Sequence, residues 1–515
     1  MSPWIIRNRI LLFAMANIVL DLSLAVIGPA HGSSLGRVLY ACVLFALCSA
    51  PLTLLTSFNG RYMLLMIFMC FYFMDFGGLD VQSMLSGYPL PEPRTSLLTP
   101  AEIAVLACGA LLFAGYLGSG RAWTERRAGA VRAEWSEASM LGVGLILWLT
   151  GTLVMVYLGV FLIPDASNHT VALGLAALGP VGTFAAMLGR LMQPLGLLIL
   201  AYASARFRGM FWTTLIIAVI LAQAGAGFLT DTKQTAMMGI LMALVTRLLV
   251  SNRLPVAWII SAAVSLVLAF PVFQANRQII TGERGMNRLQ AFQNLGEVVA
   301  LAVASRDKVR NLRADERPPT FVERTFLKPP FEQVLLHVGD DVPYLHGASL
   351  VDLPLAFVPR LILSDKAALS IAQLYTHQIA HSEDDTYISI SHMGDLYWNF
   401  GWSGMLAGML AAGLILGLVG AGTSLEQGPS LTRVMVLLVT VQTLCIGFEG
   451  EVSTSYVLWM RSLAAIGLLH LMFARRPLAA PAVSAPAPAP GPAVSVALPR
   501  AVPVGLPVRF PNVMR

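Results

Sequence analysis

Residues 344–404 read YLHGASLVDLPLAFVPRLILSDKAALSIAQLYTHQIAHSEDDTYISISHMGDLYWNFGWSG, and they gather ionisable groups, aromatics and glycines into a chain that is otherwise mostly apolar. Across 515 residues, 56% are hydrophobic and only 12% are charged. A soluble globule does not have that composition. The expected fold is an all-α, polytopic integral membrane protein. About 20 consecutive apolar residues cross the hydrocarbon core, and twelve segments approach that length: 10–28, 38–57, 62–79, 101–119, 139–162, 186–204, 209–228, 234–250, 255–275, 400–421, 432–448 and 455–473.

The net charge of +6 reflects topology rather than a nucleic-acid partner. With the N-terminus in the cytoplasm, Arg7, Arg9, Arg61, Arg121, Arg126, Arg127, Arg132, Arg206, Arg208, Arg247, Arg253, Arg433, Arg475 and Arg476 all fall inside, whereas the opposite short loops hold Arg37, Arg94 and Lys233. The positive-inside rule therefore places both termini in the cytoplasm and residues 276–399 outside. Four regions follow. Residues 1–275 form a membrane domain of about nine helices, 276–399 a large extracytoplasmic loop, 400–475 the C-terminal membrane helices, and 476–515 an Ala/Pro-rich tail expected to be disordered. The first segment carries Asp21 and lacks a small-residue cleavage site, so it reads as a retained helix. Cys42, Cys48, Cys70, Cys108 and Cys445 all lie in apolar segments, which argues against a disulfide framework or a zinc cluster. No cofactor and no metal are expected, and no cytoplasmic region is large enough for a nucleotide site.

Two pieces of the opening stretch resemble the bacterial O-antigen polymerase family, the oligosaccharide repeat-unit polymerases. One is Gly347-Ala348-Ser349 followed by Val358-Pro359-Arg360 and Asp365-Lys366. The other is Gly394-Asp395, Asn399-Phe400-Gly401 and Gly404. The resemblance covers roughly residues 230–405. It implies a glycosyltransferase of the bacterial inner membrane, acting on undecaprenyl-pyrophosphate-linked oligosaccharide, with a chain-length regulator protein as a further partner. A ligase moving a finished glycan from the same lipid would use nearly the same parts. A transporter or flippase stays open for any twelve-span chain, although no repeated halves are visible, and a sorting transpeptidase would need an outer-face cysteine.

The candidate site residues come from the extracytoplasmic side. Arg277, Arg284 and Arg288 follow the ninth apolar segment against the positive-inside trend, so they call for an anionic partner, either lipid headgroups or a phosphate that a guanidinium grips bidentately. LVDLPLAFVPRLILS is too short to span and amphipathic enough to lie on the surface, which puts Arg360 and Lys366 at headgroup depth. Lys233 opens the eighth segment. These cations, Arg277, Arg288, Arg360, Lys366 and Lys233, are the pyrophosphate-binding candidates, and Arg324 is a further cation of the loop. His377, His381, Glu383, Asp384, Asp385, His392 and Asp395 cluster in sequence, and glycosyl transfer needs a base for the attacking hydroxyl. Asp395, His381 and His377 are the catalytic candidates. Asp395 could instead cap the tenth helix or pair with an arginine. Tyr397, Trp398 and Asn399 are the acceptor-binding candidates.

Several other features have plainer readings. Asp75 and Asp80 lie near the outer end of the third segment, where acids are commonly solvated. Residues 289–343, with alternating charge and paired prolines, read as short helices with solvated faces. Residues 170–184 read as a re-entrant or interfacial segment. Glu449 and Glu451 sit on a short outer turn where they can cap the last helix. The first outer loop, PAHGSSLG, has no acid, which disfavours the monophosphate-donor glycosyltransferases.

The topology has a direct test. In a cysteine-free background, single cysteines at positions 314 and 382 should react with an impermeant maleimide in cells whose inner membrane is intact. Labelling that needs lysis would invert the chain.

Overall fold

The computed structural model describes residues 8–31, 33–58, 60–86, 98–119, 134–162, 179–207, 209–230, 233–253, 255–281, 288–311, 326–355, 370–382, 388–426, 428 and 430–474. Among these the chain is all-helical and holds no strand. The first half comprises α1 (Arg9–Ala30), α2 (Leu35–Leu54), α3 (Met63–Phe76), α4 (Gly78–Ser86), α5 (Pro100–Ser119), α6 (Glu137–Tyr157), α7 (Gly179–Arg206), α8 (Met210–Leu229), α9 (Lys233–Ser251) and α10 (Val256–Thr281). Then come α11 (Arg288–Gln293), α12 (Leu295–Asn311), α13 (Lys328–His337), α14 (Ala348–Leu355) and α15 (Ile371–Gln378). The chain returns through α16 (Ser391–Thr423), α17 (Leu431–Thr440) and α18 (Val452–Phe473).

Among the described residues, nine helices are long and apolar enough to cross a membrane, or ten when α3 and α4, bent by 55° at Gly77, count as one. The expected membrane helices are thus met in part. Residues 235–251 of α9 form a shorter apolar helix, and α10 is a further helix of 26 residues. The tenth expected span also changes shape. α16 begins at Ser391, nine residues before the expected start, and breaks at Gly401, whose backbone (φ 65°, ψ −158°) is in a region that side chains resist. Residues 391–400 are thus a separate helical piece leading into the span. The expected re-entrant segment is only partly described, and from Gly179 onward it forms the first turns of α7.

Lipid-facing surface is visible on the outermost helices. Only 11% of the apolar window of α1 and 22% of that of α18 is buried in the protein, and Ile10, Val26, Leu468 and Leu471 are exposed. Where helices do meet, small residues let backbones approach, since apolar lipid supplies no hydrophobic drive for association. On α16, Gly413, Gly417 and Gly420 lie directly on the backbone and side chains of Leu112, Tyr116 and Ser119 of α5, and Gly115 of α5 returns the contact to Leu410. α6 and α7 pair the same way through Gly151 against Gln193 and Gly196 against Trp148.

Contacts sort the chain ends into two groups. At one end Arg9 reaches the Leu55 carbonyl, Phe58 N donates to Asn252 Oδ1, Thr56 bonds Glu426 and Arg206 pairs with Glu134. At the other lie the start of α2, the α3–α4 bend, the start of α5, α13–α15 and the start of α18. α13–α15 therefore gather at one end of the bundle. A small core of Phe228, Phe273, Ala291, Val298 and Ala302 joins α8, α10, α11 and α12. The main core centres on buried Phe448, whose ring meets Phe68, Tyr72, Phe76 and His392.

The α5–α16 seam predicts a contrast. Gly417→Leu should overpack it at a cost of about 1–3 kcal/mol, visible as a lowered melting midpoint and a smaller monodisperse peak in detergent. Gly118→Leu, at a position with nothing within 4 Å, should behave like the wild type.

Candidate functional site

The site grows from the first piece of α16. Asp395 and Asn399 are one turn apart there, so they share a face, and both are completely buried. Asn399 Nδ2 donates to Asp395 Oδ1 at 2.7 Å and to Ser349 Oγ at 2.7 Å. Ser349 Oγ donates to Asp395 Oδ1 at 3.0 Å, and Gly347 N donates to Asn399 Oδ1 at 3.0 Å. The other carboxylate oxygen, Asp395 Oδ2, accepts from Val452 N at 2.9 Å. Asp395 therefore caps a helix as expected of one of its roles, but the helix is α18 rather than its own. Both of its oxygens are held, and three segments distant in sequence meet on one carboxylate.

The loop before α14 is sewn to the same face. Leu345 N donates to the Trp398 carbonyl at 2.9 Å, and Trp398 Nε1 donates to the Pro343 carbonyl at 3.2 Å. His346 (φ 49°) and Gly347 (φ 88°) turn the chain into α14. Caps are exchanged here as well. Glu451 occupies the N-cap position of α18, yet its Oε1 accepts from Ala372 N at 3.2 Å and Ser370 Oγ at 2.9 Å, at the start of α15.

A second polar cluster lies under α13. Lys328 Nζ pairs with Asp80 Oδ2 and, at 3.2 Å, with Glu102 Oε1, and it lies 4.6 Å from the centre of the Tyr40 ring. Arg37 Nε is 3.7 Å from Asp80 Oδ1. Two cations thus face two carboxylates. Lys328, Asp80 and Glu102 are each at most 2% exposed, so both the solvated reading of Asp80 and the solvated reading of this loop lysine give way to a buried ion cluster. Burial this deep makes loss of one partner cost about 3–5 kcal/mol, because the remaining charge stays desolvated. Glu102 also closes a capping box on α5: Thr99 N donates to Glu102 Oε2 and Glu102 N donates to Thr99 Oγ1. Leu327 N donates to the Asp75 carbonyl at 2.8 Å, and Asp75 is buried.

Of the candidate acceptor residues, Trp398 and Asn399 have no exposed surface and Tyr397 has 5%. In this state they support the site from beneath. His377, in the last turn of α15, and His381, just beyond it with φ 47°, are exposed. His392 is buried beside Phe448 and Tyr456. Arg277 lies near the end of α10, Arg288 begins α11 and Lys233 begins α9, but their side chains lie outside the description. Arg284, Arg324, Arg360, Lys366, Glu383, Asp384, Asp385 and the tail from 475 also lie outside the described residues. Sequence reasoning missed Lys328 and Glu102. The lysine had a readable signal, since a cation at the proline-marked start of a helix opposes the helix dipole and needs an acid.

No family model, no curated protein and no solved structure matches this chain.

The Asp395 network makes a measurable demand. Asp395→Asn turns an N–H group toward Asn399 Nδ2 or Val452 N, leaving a buried donor unpaired at about 1–3 kcal/mol. The melting midpoint should fall by several degrees. Combining it with Asn399→Asp restores a carboxylate to face the amide and should recover most of the loss. An unshifted midpoint in the single variant would show the network to be slack.

Proposed function

We propose that the chain is a membrane glycosyltransferase that polymerises lipid-linked oligosaccharide repeat units into an O-antigen or exopolysaccharide at the outer face of a bacterial inner membrane. The observation that carries this reading is the interlocking of Gly347–Ser349 with Asp395–Gly401. These are two of the pieces behind the family resemblance, separated by about fifty residues of sequence and joined by buried hydrogen bonds.

In the proposed reaction the donor is a growing glycan on undecaprenyl pyrophosphate and the acceptor is one lipid-linked repeat unit. The acceptor hydroxyl oxygen bonds to the anomeric carbon, the bond from that carbon to the pyrophosphate oxygen breaks, and the hydroxyl proton passes to a base. His377 and His381, both exposed, are the residues proposed for that role. Asp395, with both oxygens engaged, holds α14, α16 and α18 in register beneath them. Arg277, Arg288, Arg360, Lys233 and Lys366 are the cations assigned to the leaving pyrophosphate, where preorganised positive charge stabilises the developing anion. A chain-length regulator is the proposed protein partner.

Deletion of the gene tests the reading through the length distribution of surface or secreted polysaccharide. Loss of long chains with single-unit glycan retained is the expected result. Loss of all attached glycan with lipid-linked glycan exposed outside would identify a ligase, and loss of surface glycan with lipid-linked units trapped inside would identify a flippase.

A further inference from the structure

Of the expected acceptor residues, Trp398 and Asn399 are fully buried, whereas Tyr397, itself largely buried, is packed into a row of rings that reaches the surface. Tyr344 and Tyr397 stand 6.2 Å apart at 58°, Tyr397 and Trp402 5.7 Å apart at 85°, and His346 flanks Tyr344 at 6.3 Å. These rings form an arc whose ends are open: Trp402 is 43% exposed and His346 is exposed. Tyr344 is fixed in place by two glycines at positive φ. A first side-chain carbon at Gly339 would meet its hydroxyl at 2.9 Å, and one at Gly401 would meet its ring at 3.6 Å. The turn after α13 therefore serves the seating of this ring, and the break in α16 lies in ordinary contact with it.

Carboxylates border the arc. Asp340 is exposed and lies within electrostatic reach of Tyr397, which shares a hydrogen bond with Tyr344. The neighbouring Asp341 is exposed and meets His337 Nδ1 at 3.1 Å. We infer that Tyr344, His346, Tyr397, Trp402 and Asp340 form a saccharide platform that takes a neutral or amino sugar and rejects a uronate. The inference rests on the glycosyltransferase reading and assigns its acceptor subsite.

The chemistry favours a sugar over a lipid headgroup. A pyranose presents a C–H face that packs on aromatic rings and a rim of hydroxyls that donate to carboxylates and accept from tyrosine and histidine. A belt of interfacial aromatics alone would need no acid beside it, and Asp340 with Asp341 repels lipid phosphate. The same repulsion acts on a uronic acid carboxylate, so exclusion of acidic sugars comes from charge already in place.

The test uses the full-length protein in nanodiscs, with cellotetraose, chitotetraose and tetragalacturonate as probes in titration calorimetry. At least one neutral probe should bind at least about tenfold more tightly than the uronate, and Trp402→Leu should weaken it by about tenfold, the scale of one lost ring contact with its buried area. Trp402→Phe, which preserves packing, should retain intermediate binding, and Asp340→Asn should narrow the gap between neutral and acidic probes. Equal affinity for the uronate, no binding of either neutral probe, or unchanged binding in Trp402→Leu would overturn the platform. Binding with the expected pattern in a chain whose deletion leaves polysaccharide length unchanged would keep the platform and remove the polymerase reading. Normal polymerisation together with unchanged binding in Trp402→Leu would do the reverse.

Discussion

One carboxylate sets the geometry of the end of this bundle where α13–α15 gather. Asp395 accepts hydrogen bonds from α14, from its own helix and from the first amide of α18, and it does so with no exposed surface. A buried charge is costly unless every lone-pair direction is used, so the three segments cannot move independently without exposing that cost. Everything that stands above the network inherits its rigidity. The loop from Pro343 to Gly347 is bonded to Trp398 and Asn399, and the aromatic arc sits on that loop.

The buried ion cluster plays the matching role on the other side of the same end. Lys328 has no hydrophobic reason to be at the start of α13, and the helix dipole there opposes it. Its position follows from Asp80 and Glu102, which arrive from a bent span and from a capped one. Because the cluster is close to neutral, with Arg37 and Lys328 against Asp80 and Glu102, it can be buried without a counterion. It fixes α13 to the membrane helices, and α13 in turn leads directly into the Gly339 turn beneath Tyr344.

Much of the fold was legible because composition acts over long stretches. Each of the twelve apolar segments contains helix, and among the described residues Arg9 and Arg206 lie at the end opposite α13–α15. The misjudged details are those that depend on single residues. The bend at Gly77, the break at Gly401 and the shorter apolar run of α9 are local features, and an apolar window averages over all three. Site residues were legible by type but not by role. Glycine, acid and asparagine at 394, 395 and 399 signalled a constrained polar turn, yet the partners that make Asp395 a connector are Ser349 and Val452. Both come from pairings across about fifty residues, which no local spacing encodes.

The exchange of caps explains why this end can be rigid and still carry exposed polar residues. A helix that caps itself is stable alone. Here Asp395 of α16 supplies the acceptor for α18, and Glu451 at the head of α18 supplies one for α15. Each cap therefore links a helix to a neighbour, and the cost of an unmet amide, about 0.5–2 kcal/mol, becomes a coupling between segments. α15 carries His377 and leads to His381, so the chain of caps runs from the α16 span, through α18, to the exposed histidines. That path ties the segment carrying the two histidines to the membrane helices while both residues keep surface exposure.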